Sequence, residues 1–362
     1  MFEDILKNAR DGGSGAASPK SDSEDMLNDR VRIAVVGVGG GGTNTIHRIN
    51  SMGIKSAKTI AINTDALHLK MINSDKKVLI GKGVTRGLGA GGFPEVGMKC
   101  AEADKSLIMD ALGENELVFI TAGMGGGTGT GGAPVVAKAA KQQGAVVVSV
   151  VTYPFKLERA RIKKAQWGLQ ELMKYSDTLI VIDNNRLVSY APNLPVNKAF
   201  MLADQITARA IKGISDTIIF PSLLNIDYAD VKAVMTNGGL AMISVGDGTG
   251  ADKVEKVVKS TLQHPLLDVD YEGAKGALIH IGSNTDLTLG EAIHIGDNLT
   301  SKFDDAAQVK LGARIGPEYG SNVYVTMITT GVKSSTLFGC GKAKEDDAEV
   351  ASAMDMEDLM TI

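Results

Sequence analysis

Three clusters of glycine constrain this chain more than any other feature of its sequence. Glycine accounts for 43 of the 362 residues, and 19 of these lie in the segments 37–42, 81–97 and 123–132. Each cluster follows a short apolar run, as a loop follows a buried strand. Because glycine has no Cβ, such loops let the backbone approach a ligand closely. The glycine excess therefore indicates specific loops in a globular protein, not a low-complexity chain.

Val- and Ile-rich runs alternate with helical segments in the first half of the chain. Strands are predicted at 31–36, 58–62, 117–121, 145–151 and 178–182, and helices at 43–52, 134–143 and 158–175. Near-continuous apolar strands of this kind are typical of a parallel sheet with helices on both faces. The first half is therefore predicted to be a doubly wound, mostly parallel α/β domain.

The second half is predicted to be a smaller α+β domain that follows a long helix at 197–214. Its predicted strands lie at 239–245, 277–281, 307–315 and 323–328, and its helices at 252–263 and 289–303. We therefore divide the chain into an acidic N-terminal extension (1–29), an α/β domain (30–196), a connecting helix (197–217), an α+β domain (218–338) and an acidic, disordered tail (339–362).

The charges are unevenly distributed and exclude several classes of protein. The two terminal segments carry net charges of −4 and −5, which leaves about +5 for the body. The body has no basic run interleaved with aromatic residues, so no nucleic-acid partner is expected. No apolar run reaches the roughly 18 residues of a spanning helix. The two cysteines lie far apart and indicate no disulfide framework, so a cytoplasmic protein is expected. The cysteines and the five histidines show no metal-ligand spacing, so no metal site of the protein's own is expected.

The positions of the glycine clusters predict a phosphate site. In a doubly wound sheet, ligands bind at the carboxyl ends of the strands, where helix N-termini present backbone N–H groups. Three loops at that edge predict a cradle for a triphosphate. Gly37, Gly39 and Gly42 also fit GxGxxG, with Asp65 about 20 residues further on, so a dinucleotide-binding oxidoreductase is the alternative. GGGTGTG at 125–131 is not a motif of dinucleotide-binding folds. No GxxxxGK[ST] motif is present, which excludes a Walker-type NTPase.

Several further motifs accompany the glycine loops. They are NTDA at 63–66, TRGLGAGG at 85–92, NIDYADV at 225–231 and NGGLAM at 237–242. Together with GGGTGTG, they resemble the tubulin/FtsZ family of GTPases over residues 30–335. The resemblance implies that 30–196 binds GTP or GDP, with Mg²⁺ carried by the nucleotide phosphates. It also implies a head-to-tail filament in a midcell division ring, and the acidic extension is more similar to archaeal than to bacterial members.

The resemblance assigns nucleotide-binding residues to two regions. From the glycine-rich half it implies Gly40, Gly41, Gly42, Thr43, Asn44, Asp65, Ala90, Gly91, Gly127, Thr128 and Gly129. From later elements it implies Glu158, Arg161, Asn184, Phe200 and Asp204.

Two of these assignments depend on helical spacing. Phe200 and Asp204 share a helix face, and the resemblance implies that they stack on guanine and accept its N1–H and 2-amino protons. A core phenylalanine beside an exposed aspartate is the alternative. Arg161 stands one residue earlier than the arginine of the family's E-x-x-x-R motif, a rotation of about 100° on a helix. An ordinary solvated arginine is therefore the alternative there.

Asn225, Asp227 and Asp230 are the expected catalytic residues. If Asp204 contacts the base, the helix carries the chain about 15 Å further before this loop begins, so the loop is not expected to reach the nucleotide of its own chain. The resemblance implies that it completes the GTPase site of the neighbouring subunit and polarises the attacking water. A polar turn that caps the next helix is the alternative for Asp227.

The chain ends in MDMEDLMTI at 354–362, where methionine and leucine alternate with acids. In the family, the peptide at this place binds membrane-tethering division proteins, and the same is expected here by folding on binding. The leading function is thus a polymerising cell-division GTPase. A tubulin-like protein of cell shape, or a regulatory paralogue, is the alternative within the family.

Overall fold

The computed structural model describes residues 31–186, 196–219, 224, 226–236, 238–250, 252–262, 273–284, 287–316 and 320–332. The strands are β1 (Ile33–Val38), β2 (Lys58–Asn63), β3 (Lys76–Leu79), β4 (Leu117–Gly123), β5 (Val146–Tyr153), β6 (Thr178–Asp183), β7 (Gly239–Thr249), β8 (Gly276–Ser283), β9 (Gln308–Ile315) and β10 (Asn322–Thr330). The helices are α1 (Gly39–Ser51), α2 (Ala66–Met71), α3 (Lys82–Thr85), α4 (Pro94–Ala103), α5 (Lys105–Leu112), α6 (Thr128–Gln142), α7 (Arg159–Met173), α8 (Val196–Ile219), α9 (Tyr228–Met235), α10 (Lys253–Leu262) and α11 (Leu289–Thr300).

The first six strands are parallel and lie in the order β3-β2-β1-β4-β5-β6. The position of β1 between two layers of helices explains why its sequence is apolar throughout. Val36 and Val38 point into one core cluster, while Ile33 and Val35 point into the cluster on the opposite face. Helices α4, α5, α6 and α7 contribute to the first cluster, and α1 and α8 to the second. The predicted doubly wound α/β fold is confirmed.

The same sheet continues into the second half of the chain. Strand β7 pairs in parallel with β6, from Thr178 opposite Gly239 to Ile180 opposite Ala241. Strand β10 lies antiparallel between β7 and β8, and β9 forms the far edge. Helices α10 and α11 cover one face of these strands around Ile279. This half has the predicted α+β character, while the predicted domain boundaries remain a prediction.

The central helix α8 spans 24 residues and packs against both halves. Its Ile211 and Ile214 share a core with Phe119 of β4 and with Leu278 and Ile328 of the later strands. The sequence pattern predicted this helix, although it placed the end at 214 and the structure extends it to Ile219.

Some elements differ from the sequence-based prediction. Helix α6 begins at Thr128, six residues before the predicted start, although three of its first five residues are glycine. Close packing explains this difference: a Cβ on Gly131 would lie 1.8 Å from the carbonyl oxygen of Pro94 in α4. Strand β3 and helices α2, α3, α4 and α5 were absent from the prediction. Among the described residues, no helix combines the length and apolarity needed to cross a membrane.

Candidate functional site

A cavity of about 690 Å³ opens at the carboxyl ends of the parallel strands. The residues after β1 and β4 form much of its wall, and Thr152 of β5, Asn184 after β6 and Asp204 of α8 also line it. In a sheet of this strand order, the ligand crevice lies where the order reverses, between β1 and β4. A cavity of this volume is large enough for a nucleotide.

Two helix N-termini face this cavity without a capping side chain. Helix α1 starts at Gly39 and α6 at Thr128, and no side chain caps either end. Neither helix has an acidic residue in its first turn. The first N–H groups of both helices are therefore available to an anion, and both helix dipoles favour negative charge there.

The glycine loops pack against one another around this anion site. A Cβ on Gly127 would lie 2.8 Å from Cβ of Ala90, and a Cβ on Gly129 would lie 2.7 Å from the carbonyl oxygen of Gly123. Gly40 differs, because a Cβ there would meet no atom within 4 Å in the part of the chain that the structure describes, and Gly40 itself lines the cavity. The arrangement therefore fits the phosphates of a nucleotide.

Most of the sequence-predicted binding residues meet at this cavity. Those that line it are Gly40, Gly41, Asn44, Asp65, Ala90, Gly127, Thr128, Gly129, Glu158, Arg161, Asn184 and Asp204. Gly42, Thr43 and Gly91 do not line it. A Cβ on Gly42 would lie 2.1 Å from the carbonyl oxygen of Thr121, and the Thr43 hydroxyl donates to the carbonyl of Gly39 at 2.8 Å. Gly42 and Thr43 therefore contact the protein around them and stabilise the loop, instead of facing the cavity. Phe200 lies on α8, and its side chain is outside the described residues.

The polar groups at the α7 and α8 side of the cavity have distinct environments. Asp204 accepts a hydrogen bond from the Thr45 hydroxyl at 3.1 Å, and burial raises its pKa from 3.8 to about 6. Asn184 is buried, and its Oδ1 accepts no hydrogen bond from the described residues. Glu158 forms an ion pair with the exposed Arg161. The arginine therefore reaches the cavity wall, in spite of its shifted position in the motif.

His68 was not among the predicted binding residues, because its sequence context shows only a histidine without metal-ligand spacing. His68 lines the cavity, with Nε2 3.1 Å from Oδ1 of Asn44 and Nδ1 3.3 Å from Nδ2 of Asn63. No local pattern indicated this role, because it depends on Asn63 of β2 and Asn44 of α1. No group of three potential metal-ligating side chains occurs among the described residues.

The carboxylates of the expected catalytic loop lie elsewhere. Asp227 caps α9, accepting from the Asp230 N–H at 2.7 Å, while Asp230 Oδ2 accepts from the Asp227 N–H at 3.3 Å. Lys310 Nζ lies 2.7 Å from Asp230 Oδ1, and its hydrogen bond lowers the pKa of Asp230. Asp227 thus caps α9, as its alternative interpretation expected, and neither aspartate lines the cavity; the catalytic role of the loop stays a prediction. Asn225 lies outside the described residues.

A hydrogen bond fixes the position of this loop along the sheet. The Tyr228 hydroxyl donates to the carbonyl of Glu116 at 2.8 Å, and Glu116 immediately precedes β4. The cavity adjoins Gly123 at the other end of that strand. At roughly 3.3 Å per residue, the length of β4 separates the two by about 20 Å.

The fold and the cavity define a class of protein. A doubly wound sheet with two free helix N-termini and three glycine loops at one crevice, without a Walker motif, is a nucleotide-binding α/β protein. Comparison with family models specifies the class: residues 32–192 match the Tubulin/FtsZ family, GTPase domain, and residues 239–333 match the FtsZ family, C-terminal domain. The chain belongs to the tubulin/FtsZ family of GTPases, and the oxidoreductase alternative is excluded.

Archaeal relatives cover nearly the whole chain. It is 56% identical over 329 residues to "Cell division protein FtsZ 2" of Methanocaldococcus jannaschii, which is 89% of this chain and 87% of the relative. It is 49% identical over 359 residues to the protein of the same name from Haloferax volcanii, covering 98% and 90%. A solved FtsZ dimer from M. jannaschii matches with a TM-score of 0.82 at 44% identity, covering 91% of this chain and 100% of the other.

Proposed function

We propose that this protein is a GTP-dependent polymerising protein of cell division. The family supplies the GTPase domain, and the relatives named above are cell division proteins. The cavity supports GTP or GDP as the ligand, because its two uncapped helix N-termini and glycine loops suit phosphates. Mg²⁺ would arrive with the nucleotide and screen the phosphate charge, since no cluster among the described residues can hold a metal alone.

The glycine loops of the cavity are proposed to bind the phosphates, and its α7 and α8 side to bind the base and sugar. In the proposal, Gly40, Gly41, Asn44 and residues 127–129 donate backbone and amide N–H groups to the phosphates. Asp204 reads the base, with Phe200 stacking on it. Ala90 and Gly91 lie near the γ-phosphate, and Glu158 and Arg161 flank the ribose and base. Asn184 contacts the nucleoside: its buried oxygen, which has no hydrogen-bond partner among the described residues, suits a ligand hydroxyl or amino group.

The hydrogen bond from Tyr228 to Glu116 carries the proposal that hydrolysis occurs between subunits. It holds Asp227 and Asp230 at the amino ends of the strands, a strand length away from the cavity of their own chain. A second copy stacked head to tail would bring this loop over the cavity of its neighbour. Such a heterologous contact does not close and builds a filament. In the proposal, Asn225, Asp227 and Asp230 orient and polarise the attacking water there.

The rim of the cavity has the character of an interface. Leu67, Met71 and Leu88 are between 71% and 82% exposed. They lie within a few residues of Asp65 and Gly89, which line the cavity. Large apolar side chains grouped at a site edge mark an interaction surface. A stacked neighbour would cover these side chains together with the nucleotide.

Replacing Asp230 with alanine tests the proposal. Asp230→Ala should bind GTP and form polymer, because the residue lies outside the cavity, and GTP hydrolysis should fall by at least about a hundredfold. Polymer is measured by pelleting with GTP and Mg²⁺ against GDP, and hydrolysis by phosphate release. A variant that hydrolyses GTP at the wild-type rate would reject the catalytic role of the loop.

Dilution of the wild-type protein separates an intersubunit site from an intrachain one. If the loop acts on the neighbour, phosphate release per subunit should vanish below a threshold protein concentration. Release per subunit that stays constant on dilution would place catalysis within one chain and contradict the proposal.

The cellular setting is proposed from the family and from the tail. We assign the acidic segment 339–362 to binding of membrane-tethering division proteins, and the filament to a midcell ring in the cytoplasm. The end of the tail combines apolar side chains with acids, which suits a short peptide that folds on a partner.

A further inference from the structure

Three carboxylates line the cavity among the described residues, and their hydrogen bonds distinguish them. Asp65 Oδ1 accepts the N–H groups of Leu67 and His68 as the cap of α2. Glu158 accepts from the N–H of Phe155 at 3.1 Å and pairs with Arg161. These two carboxylates are thus held by their own surroundings, and Asp204 is the one with most acceptor capacity left for a ligand.

Asp204 is held by one hydroxyl. Thr45 Oγ1 lies 3.1 Å from Asp204 Oδ1, and the Thr45 side chain is buried. The same hydroxyl is 3.4 Å from the carbonyl of Gly41, so the charged and closer oxygen is the preferred acceptor. Asp204 Oδ2 accepts no hydrogen bond from the described residues.

We propose that Thr45 is a specificity-determining positioning residue, whose hydroxyl holds the Asp204 carboxylate in the orientation that reads guanine. The inference rests on the proposed role of Asp204 at the base. Guanine presents two parallel donors, N1–H and the 2-amino group, and an oriented carboxylate can accept both. Adenine has no donor at N1, so the same carboxylate is left unpaired opposite it.

The position of Thr45 on α1 gives this hydrogen bond a second effect. Helix α1 begins with the glycines of the phosphate loop, and Thr45 follows Gly41 by about one turn. Asp204 lies on the central helix α8. The bond therefore connects the helix proposed to hold the phosphates to the helix proposed to contact the base.

The charge of Asp204 gives the proposal a second readout. Burial raises the pKa of this carboxyl to about 6, while the hydrogen bond from Thr45 and the positive charge of Arg48 oppose the rise. Arg48 is the charged group of α1 that acts on it. Guanine needs the ionised form, so GTP affinity should fall as the pH drops through about 6. Loss of the Thr45 hydroxyl should move this midpoint to higher pH.

Equilibrium binding of GTP and ATP to the full-length protein, from pH 5 to pH 8.5, tests the proposal. At pH 7, Thr45→Val should weaken GTP binding about tenfold, because the charge-assisted hydrogen bond from the Thr45 hydroxyl to Asp204 is lost. ATP binding should stay unchanged. The pH midpoint of GTP binding should rise by about one unit. Thr45→Ser keeps the hydroxyl and should match the wild type within twofold. Thr45→Ala should behave as Thr45→Val, which separates the hydroxyl from the shape of the side chain.

Two outcomes overturn the inference. One is a GTP affinity and a pH midpoint in Thr45→Val that equal those of the wild type, and the other is a defect of equal size in Thr45→Ser. Asp204→Asn distinguishes failure of the underlying function. If Asp204→Asn keeps the preference for GTP, the proposed base contact is wrong; if it loses the preference while Thr45→Val does not, only the role of Thr45 is wrong.

Discussion

Replacing Gly40 with alanine should weaken nucleotide binding and leave the fold intact. A Cβ at this position meets no atom of the described residues within 4 Å, and Gly40 lines the cavity. The methyl group would therefore stand where a phosphate approaches the backbone of α1. Loss of one hydrogen bond to a charged group costs about 1.5–3 kcal/mol, which is about 10- to 150-fold in Kd. The fold should gain about 0.5–1 kcal/mol, because alanine favours a helix over glycine.

Two other glycines provide matched controls. Gly290 is the second residue of α11, as Gly40 is of α1, and it also has open space around a Cβ. Gly290→Ala should give the same small gain in stability with unchanged nucleotide binding. Gly42→Ala should instead destabilise the fold by about 1–3 kcal/mol or more, because its Cβ would lie 2.1 Å from the Thr121 carbonyl oxygen and the backbone would have to move.

Titration with a fluorescent GDP analogue and thermal unfolding of the three variants measure both effects. The expected pattern is loss of binding at unimpaired stability in Gly40→Ala, loss of stability in Gly42→Ala, and neither loss in Gly290→Ala. GDP affinity within twofold of the wild type in a folded Gly40→Ala protein would refute the placement of the phosphates at the start of α1.

Two further predictions concern other parts of the chain. Burial lowers the pKa of His280 in β8 from 6.5 to about 4. Between these two pH values, His280 is protonated in the unfolded chain and neutral in the folded chain. The free energy of unfolding should fall by up to about 3 kcal/mol as the pH drops from 6.5 to 4. Urea unfolding of His280→Gln should show a weaker dependence of this free energy on pH. The same pH dependence in His280→Gln and the wild type would contradict this prediction. Deletion of residues 350–362 should abolish pull-down of a membrane-tethering division partner and leave GTP hydrolysis unchanged, whereas retained binding would show that the tail is not the docking segment.

Local features of the sequence determined the type of fold and the type of ligand. Strands such as β1 are apolar at every residue, and a strand buried on both faces needs that pattern wherever it lies in the sheet. The glycine loops between strand and helix were equally readable, because the lack of a Cβ is a property of the residue itself. Motifs such as GGGTGTG at 125–131 then indicated the family without any contact being known.

Packing decided where the first helix turn after β4 begins. Helix α6 starts at Thr128 although glycine is a poor helix former, because Gly131 packs against Pro94 of α4 with no room for a side chain. Glycine costs about 1 kcal/mol per residue in a helix, and the close packing of α6 on α4 offsets this cost. The sequence pattern, which reads only neighbouring residues, placed the start too late.

Only the tertiary structure decided which residues outside the recognised motifs share the site. His68 and Thr45 line the cavity although neither was selected from the sequence, since each depends on a partner in another element: Asn63 for His68 and Asp204 for Thr45. The Asp230 carboxylate pairs with Lys310, 80 residues later, for the same reason. Chain spacing fixes only which face of a helix or strand a residue occupies. The course of β4, with the glycine loop at one end and the contact of Tyr228 with Glu116 at the other, sets the separation of cavity and loop.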